Sequence, residues 1–166
     1  MTRGLALDLS QDDRRRMRTD VPANPLAYQY YLRSLSHPHG YAGSELAFPL
    51  LEKCIALDPG YAPAWAALGE RRETAAVHAL GGAEKVKEAE QAFAKALSMN
   101  GRLLDALSGL ARLYTDVGQS DKAIGLLRTA LEINPNHASI ACSATGPGAC
   151  SASRPRWTAG SSTTRS

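Results

Sequence analysis

Residues 104–137 read LDALSGLARLYTDVGQSDKAIGLLRTALEINPNH, and this stretch decides the fold. Leu107, Leu110, Ala111 and Tyr114 recur at steps of three, one and three, which puts them on one face of a helix. Gly118 interrupts the pattern. A second helical pattern follows through Ala123, Ile124, Leu127, Ala130 and Leu131, and stops at Asn134-Pro135. The small residues Ala111, Ala123 and Ala130 mark where the two helices cross closely, because a larger side chain there would push them apart. The unit is a helix–turn–helix pair, and two looser copies of it precede.

At 166 residues the chain is long enough to bury one ordinary core, and its 44% hydrophobic content suits a folded protein. No run approaches the roughly 20 apolar residues that span a bilayer. Met1–Ser10 carries an acid inside its short apolar stretch and no small-residue cleavage site, so no secretory signal is expected. Cys54, Cys142 and Cys150 have no metal-ligand or redox spacing, and an odd count argues against a disulfide framework. The expected location is the cytoplasm. The net charge of +3 comes from Arg154, Arg156 and Arg165 at the end of the chain; without them 16 basic residues face 16 acidic ones. No basic stripe of the kind that binds nucleic acid is present. Arg14-Arg15-Arg16 directly follows Asp12-Asp13 and reads as a solvated helix face.

Residues 1–24 form a lead-in with a short helix from about Ser10 to Arg18, and Pro22 ends it. Asn24-Pro25 is a strong helix start: Asn caps, and Pro at the first helical position loses no needed hydrogen bond. The helix that follows is read with Tyr28, Tyr31, Leu32 and Leu35 on its inner face. His37-Pro38-His39-Gly40 is a turn; its two histidines lack a third metal ligand, which favours a plain polar loop. A partner helix is expected from Ser44 to Leu57, with Ala47, Leu51, Cys54 and Ile55 inside. Pro49 requires it to start late or to kink. A third helix contains Trp65, Leu68 and Gly69. A fourth runs from about Ala83 to Met99, burying Ala89, Ala92, Phe93, Ala96 and Leu97 and wetting Glu84, Lys85, Lys87, Glu88 and Glu90. Gly81-Gly82 marks the turn between them, and Asn100-Gly101 stops the fourth.

This arrangement resembles the tetratricopeptide repeat, whose consensus has a large apolar residue, Leu-Gly and Tyr on its first helix and Ala, a bulky residue, Ala and Pro on its second. Residues 104–138 match it well, residues 62–103 match with an interruption, and residues 25–61 match weakly. On this alignment Leu32 occupies a small-residue slot, Arg72 replaces Tyr, and eight residues are inserted around Thr74 to Gly82. Cys54 holds a slot usually filled by Ala, where buried packing is expected rather than a reactive thiol. The resemblance implies an all-α solenoid of about three helix pairs that binds a peptide or partner helix in its concave groove. The groove positions it implies are Asp105, Ser108, Arg112 and Asp116 on the last repeat, with Thr115 beside them. The middle repeat offers Ala66, Glu70 and Glu73, with Pro63 and Thr74, and the first offers Gln29 and Arg33, with Leu26, Ser36 and His37. The Lys/Asn clamp by which some members hold a C-terminal carboxylate is not reproduced. The stretches Asn24–Arg33 and Ile55–Trp65 look like repeat regions C-terminal to bacterial signalling domains: serine/threonine kinases, winged-helix regulators and adenylate cyclases.

Residues 139–166 lose all apolar periodicity and are almost entirely Ala, Ser, Thr, Gly, Pro, Cys and Arg. Such a segment cannot offset its ordering entropy and is expected to be disordered. Two readings stand: a GC-rich gene translated out of frame after Ala138, or a natural tail. Reading all three frames of the encoding DNA past codon 138 separates them. With no capping helix in view, Leu126, Leu127 and Leu131 are expected to stay partly exposed. No phosphate loop, nucleophile–base signature or paired metal ligand is visible, so neither an enzyme nor a cofactor is expected. Self-association of the repeats is the other reading of the pattern.

Overall fold

The computed structural model describes Gln11 and residues 20–78 and 83–135. Among the described residues lie six helices and no strand: α1 Pro25–Leu35, α2 Tyr41–Leu57, α3 Ala62–His78, α4 Ala83–Met99, α5 Leu104–Asp116 and α6 Ser120–Ile133. They form an all-α solenoid of three helix pairs, in which α3 packs on α2, α4 and α5, and α5 on α4 and α6. The helix expected over Ser10–Arg18, Gly81-Gly82, and the tail with Cys142 and Cys150 lie outside the described residues, Gln11 apart.

The helix ends follow local chemistry. Asn24 Oδ1 accepts hydrogen bonds from the N–H groups of Leu26 at 2.9 Å and Ala27 at 3.4 Å, capping α1 with Pro25 in its first turn. α5 stops at Gly118, whose φ of 76° is strained for any residue with a Cβ. There the Gly118 N–H donates to Thr115 C=O at 3.1 Å and the Gln119 N–H to Tyr114 C=O at 2.7 Å, the paired bonds that close a helix on a left-handed glycine. α2 begins at Tyr41, earlier than the expected Ser44, so Pro49 lies well inside it. Proline has no N–H to give the Glu45 carbonyl. Both residues are exposed, on the solvent side of the helix. The early start is possible because position 43 is glycine: a Cβ there would lie 2.0 Å from the Pro38 carbonyl oxygen. Thr74–His78, part of the insertion expected around Thr74 to Gly82, prolong α3.

The core is built mainly from alanine. Ala89, Ala92, Phe93 and Ala96 of α4 are buried as expected. Phe93 is 0% exposed and is hemmed by two glycines, Gly69 on α3 and Gly109 on α5. Leu107, Ala111, Ala123, Leu127 and Ala130 join α5 to α6.

Three expectations about faces are corrected. On α1 the buried residues are Ala27 and Ser34, with Tyr30 and Tyr31 half-buried, while Tyr28, Leu32 (47% exposed) and Leu35 face outward. The small slot filled by Gly69 on α3 is therefore filled on α1 by Ser34, not Leu32, and the register moves by two residues. On α6 Ile124 is exposed and Leu127 is buried, while Leu126 and Leu131 are half-buried as expected. Glu90 of α4 is not simply wet: Tyr114 Oη donates to its Oε1 at 2.5 Å.

Residues 20–24 act as a strap across two inter-helix loops. The Ala23 N–H donates to Asp58 Oδ2 at 2.6 Å, and Asn100 Nδ2 donates to Asp20 Oδ1 at 2.9 Å. Asn100 Oδ1 also accepts from the Arg102 N–H at 3.1 Å, so its side chain, rather than Gly101, organises the turn after α4. Arg71 of α3 is 2% exposed and performs a similar task at the other end of α1. Its Nη2 donates to Ser34 C=O at 3.0 Å and His37 C=O at 2.9 Å, and its Nη1 to Pro38 C=O at 2.8 Å.

Two buried groups yield direct predictions. Ser44 Oγ is buried without a hydrogen-bond partner. Ser44→Ala removes that hydroxyl and is expected to stabilise the fold by about 1 kcal/mol; a lower urea midpoint would contradict this. Burial, and then the Asp58 charge, push the Cys54 thiol up to about 11. Iodoacetamide at neutral pH should label Cys54 only after unfolding, as read by peptide mass spectrometry, because the thiolate is the nucleophile.

Candidate functional site

A cleft of about 320 Å3 opens between α1, α3 and α5. α1 lends Tyr31 and Leu35, and the turn after it lends His39. α3 lends Pro63, Ala66, Ala67 and Glu70, and α5 lends Asp105, Ser108, Gly109 and Arg112. A second hollow of about 470 Å3 continues past His39, Glu70, Thr74 and Arg112. These walls follow from helix periodicity: on α5, residues 105, 108 and 112 share one face while 106, 110 and 113 turn into the core.

Of the groove positions implied by the resemblance, Pro63, Ala66, Glu70, Asp105, Ser108 and Arg112 line this cleft, and Thr74 lines the hollow beside it. Glu73 lies behind it. Gln29 and Arg33 are exposed but do not line it, and neither does Asp116. In their place α1 presents Tyr31 and Leu35, each two residues further on, a rotation of roughly 200° about the helix axis. The reason is the buried stripe of Ala27 and Ser34, which sets how α1 lies on its neighbours.

The electrostatics centre on one guanidinium. Arg112 Nε donates to Glu73 Oε1 at 2.6 Å and Nη2 to Glu73 Oε2 at 2.6 Å, a bidentate fork, while Glu70 Oε1 lies further off at 3.5 Å. Glu73 is only 3% exposed. Burial pushes its carboxyl above the usual range, and the Arg112 fork draws it part of the way back. The hydrogen bonds that Arg112 donates to Glu73 in turn hold its guanidinium firmly protonated.

The floor of the α1 side is a tyrosine cluster. Tyr61, which the sequence does not single out, meets Tyr31 edge-on with ring centroids 5.2 Å apart, and Tyr28 stacks on Tyr31 at 6.2 Å. Burial first, then the Asp105 charge, push the Tyr31 phenol up to about 12. Tyr114 is pushed to about 12 chiefly by its bond to Glu90. A folded-state value above the unfolded value of 10.0 stabilises the fold fully below that pH and is lost as pH rises through 12. The urea midpoint is therefore expected to fall above about pH 10, and less steeply in Tyr114→Phe. A midpoint flat to about pH 11.5 would contradict the assignment.

Chemically the cleft offers contact rather than reacting groups. Ser108 Oγ donates to the Asp105 carbonyl at 3.2 Å, and Arg112 is held by carboxylates. Among the described residues no three His, Cys, Asp or Glu are grouped to hold a metal ion, and no helix is long and apolar enough to cross a membrane.

A solenoid of helix pairs with a cleft along its first helices defines the class of helical-repeat proteins. A family model described as tetratricopeptide repeat matches residues 82–141, which span α4 to α6. The chain is similar in fold to the crystal structure of MamA, with a TM-score of 0.52 and 20% sequence identity over 83% of this chain and 82% of that one. No curated protein matches the chain.

Proposed function

We propose that the chain is a protein-interaction module that holds a peptide or a partner helix in the cleft between α1, α3 and α5. One observation carries this reading: three successive first helices contribute side chains to a single concave surface, and its apolar wall continues from Leu35 onto exposed Leu32 and Tyr28. The mechanism is binding alone. The cleft residues select the partner, and the alanine seams hold the curve against which it lies. Three helix pairs in the order 25–61, 62–103 and 104–138 make up the binding unit. The test is fluorescence polarisation of labelled random nonapeptides with the full chain. Ser108→Trp, which fills the cleft from a half-buried position, should abolish binding, while Glu45→Trp on exposed α2 should leave it intact. Binding that ignores Ser108→Trp would exclude the cleft.

The module is further read as part of a larger bacterial signalling or regulatory protein working in the cytoplasm. The Asn24–Arg33 and Ile55–Trp65 stretches support this reading. An in-frame kinase, winged-helix or cyclase domain in the surrounding DNA is the expected finding; flanking sequence with no such domain would remove the reading.

A further inference from the structure

We infer that the cleft takes a peptide carrying a lysine or arginine, its cationic head between Glu70 and Asp105 and its aliphatic stem against Tyr31 and Ala66. The inference rests on the cleft being the binding surface and adds the chemistry of the partner.

The charge balance of the cleft leads to it. Three carboxylates, Glu70 and Asp105 in the cleft and Glu73 behind it, stand against one guanidinium, Arg112, which contacts Glu70 and Glu73. Glu73 occupies that guanidinium through both of its 2.6 Å bonds. An anionic partner thus meets an arginine whose charge Glu73 already balances. Glu70 touches Arg112 only at 3.5 Å, and the Asp105 carboxylate makes no hydrogen bond or ion pair with any described residue. An unpaired carboxylate beside an apolar wall attracts a cation and repels an acid, and the attraction strengthens as docking excludes water.

The shape of the wall favours a side chain over a free ion. Half-buried Pro63, with the nearly buried Ala66 and Ala67 beneath it, makes a small-residue floor that leaves room for a methylene stem. The Tyr31 ring, met edge-on by Tyr61, offers the same stem an aromatic wall. Leu35 and exposed Leu32 extend the contact to a neighbouring apolar residue of the same peptide.

The experiment uses the full chain and labelled nonapeptide pools with the central residue fixed as Lys, Arg, Leu or Glu. The Lys and Arg pools are expected to bind about tenfold more tightly than the Glu pool. The preference should shrink to about threefold or less in Asp105→Asn, in Glu70→Gln, and for the unaltered chain in about 0.5 M salt. The salt arm needs no variant and stands even if one fails to fold. Lys and Arg pools that bind no better than Leu, or a preference that survives salt and both substitutions, overturn the inference. If Ser108→Trp still abolishes binding in that case, the cleft itself stands. Failure of every pool to bind, or binding indifferent to Ser108→Trp, overturns the cleft and the inference together.

Discussion

Phe93→Ala is expected to cost about 3–5 kcal/mol, the range for deleting a buried aromatic side chain, and to lower Tm by roughly 6–20 °C in a chain of this length. The position explains the size of the effect. Phe93 projects from α4 into the central cluster with Ala66, Ala89, Ala96, Ala106, Leu110 and Leu113. Alanine neighbours are too short to collapse into the space a lost ring leaves. The ring is also hemmed in on two sides. A Cβ built on Gly109 would lie 2.5 Å from Phe93 Cε1, and one on Gly69 would lie 2.8 Å from Phe93 Cδ1. Gly109→Ala should therefore destabilise, by a net of about 1–2 kcal/mol, although alanine is the better helix former by about 1 kcal/mol. Adding Phe93→Leu to Gly109→Ala should recover part of that loss, a coupling that two independent sites would not show. A Gly109→Ala chain as stable as the parent would mean that the ring is not locked between α3 and α5.

The second large effect is expected from Arg71→Met, at about 3–5 kcal/mol. The substitution keeps much of the volume and removes the donors. It leaves the carbonyls of Ser34, His37 and Pro38 without the guanidinium that now serves all three. Carbonyls that end a helix have no donor within it, so a buried cation at that end answers both their hydrogen-bonding need and the local negative dipole. The damage should be local. Hydrogen–deuterium exchange should speed up in residues 34–44 well before residues 104–133 respond, because α5 and α6 do not rest on this turn. Phe93→Ala should instead loosen the seam between α3, α4 and α5. Uniform exchange across the chain in Arg71→Met would place its role elsewhere.

Much of the cleft was legible before any coordinates. On α3 and α5 most slots of the repeat are filled by typical residues, Arg72 apart, so the resemblance to the repeat implies one side for Ala66, Glu70, Asp105, Ser108 and Arg112, and all five line the cleft. On α1 counting failed. Tyr28, Tyr31, Leu32 and Leu35 make a plausible apolar stripe, yet α1 buries Ala27 and Ser34. A serine that satisfies its own hydroxyl inside the helix, with Ser34 Oγ donating to Tyr31 C=O at 2.6 Å, packs as a small residue and carries no hydrophobic signal. Arg71 was silent for a related reason: a charged residue reads as solvated until the three carbonyls it meets, on residues 33 to 37 positions earlier, are brought beside it.

The sequence by itself determined the helices, their order and most of their ends, because periodicity, Asn24 at a start and Gly118 at a stop act over a few neighbouring residues. It also determined which residues of α4 face inward, since alanine and phenylalanine at helical spacing admit one burial. Tertiary structure decided the rotation of α1, the continuation of α3 to His78, the strap of residues 20–24 and the fork that ties Arg112 to Glu73. Each depends on groups far apart in the chain meeting in space. Helix formation is a local competition between backbone hydrogen bonds and chain entropy, whereas the facing of a helix and the pairing of its charges are settled by neighbours that only the folded chain supplies.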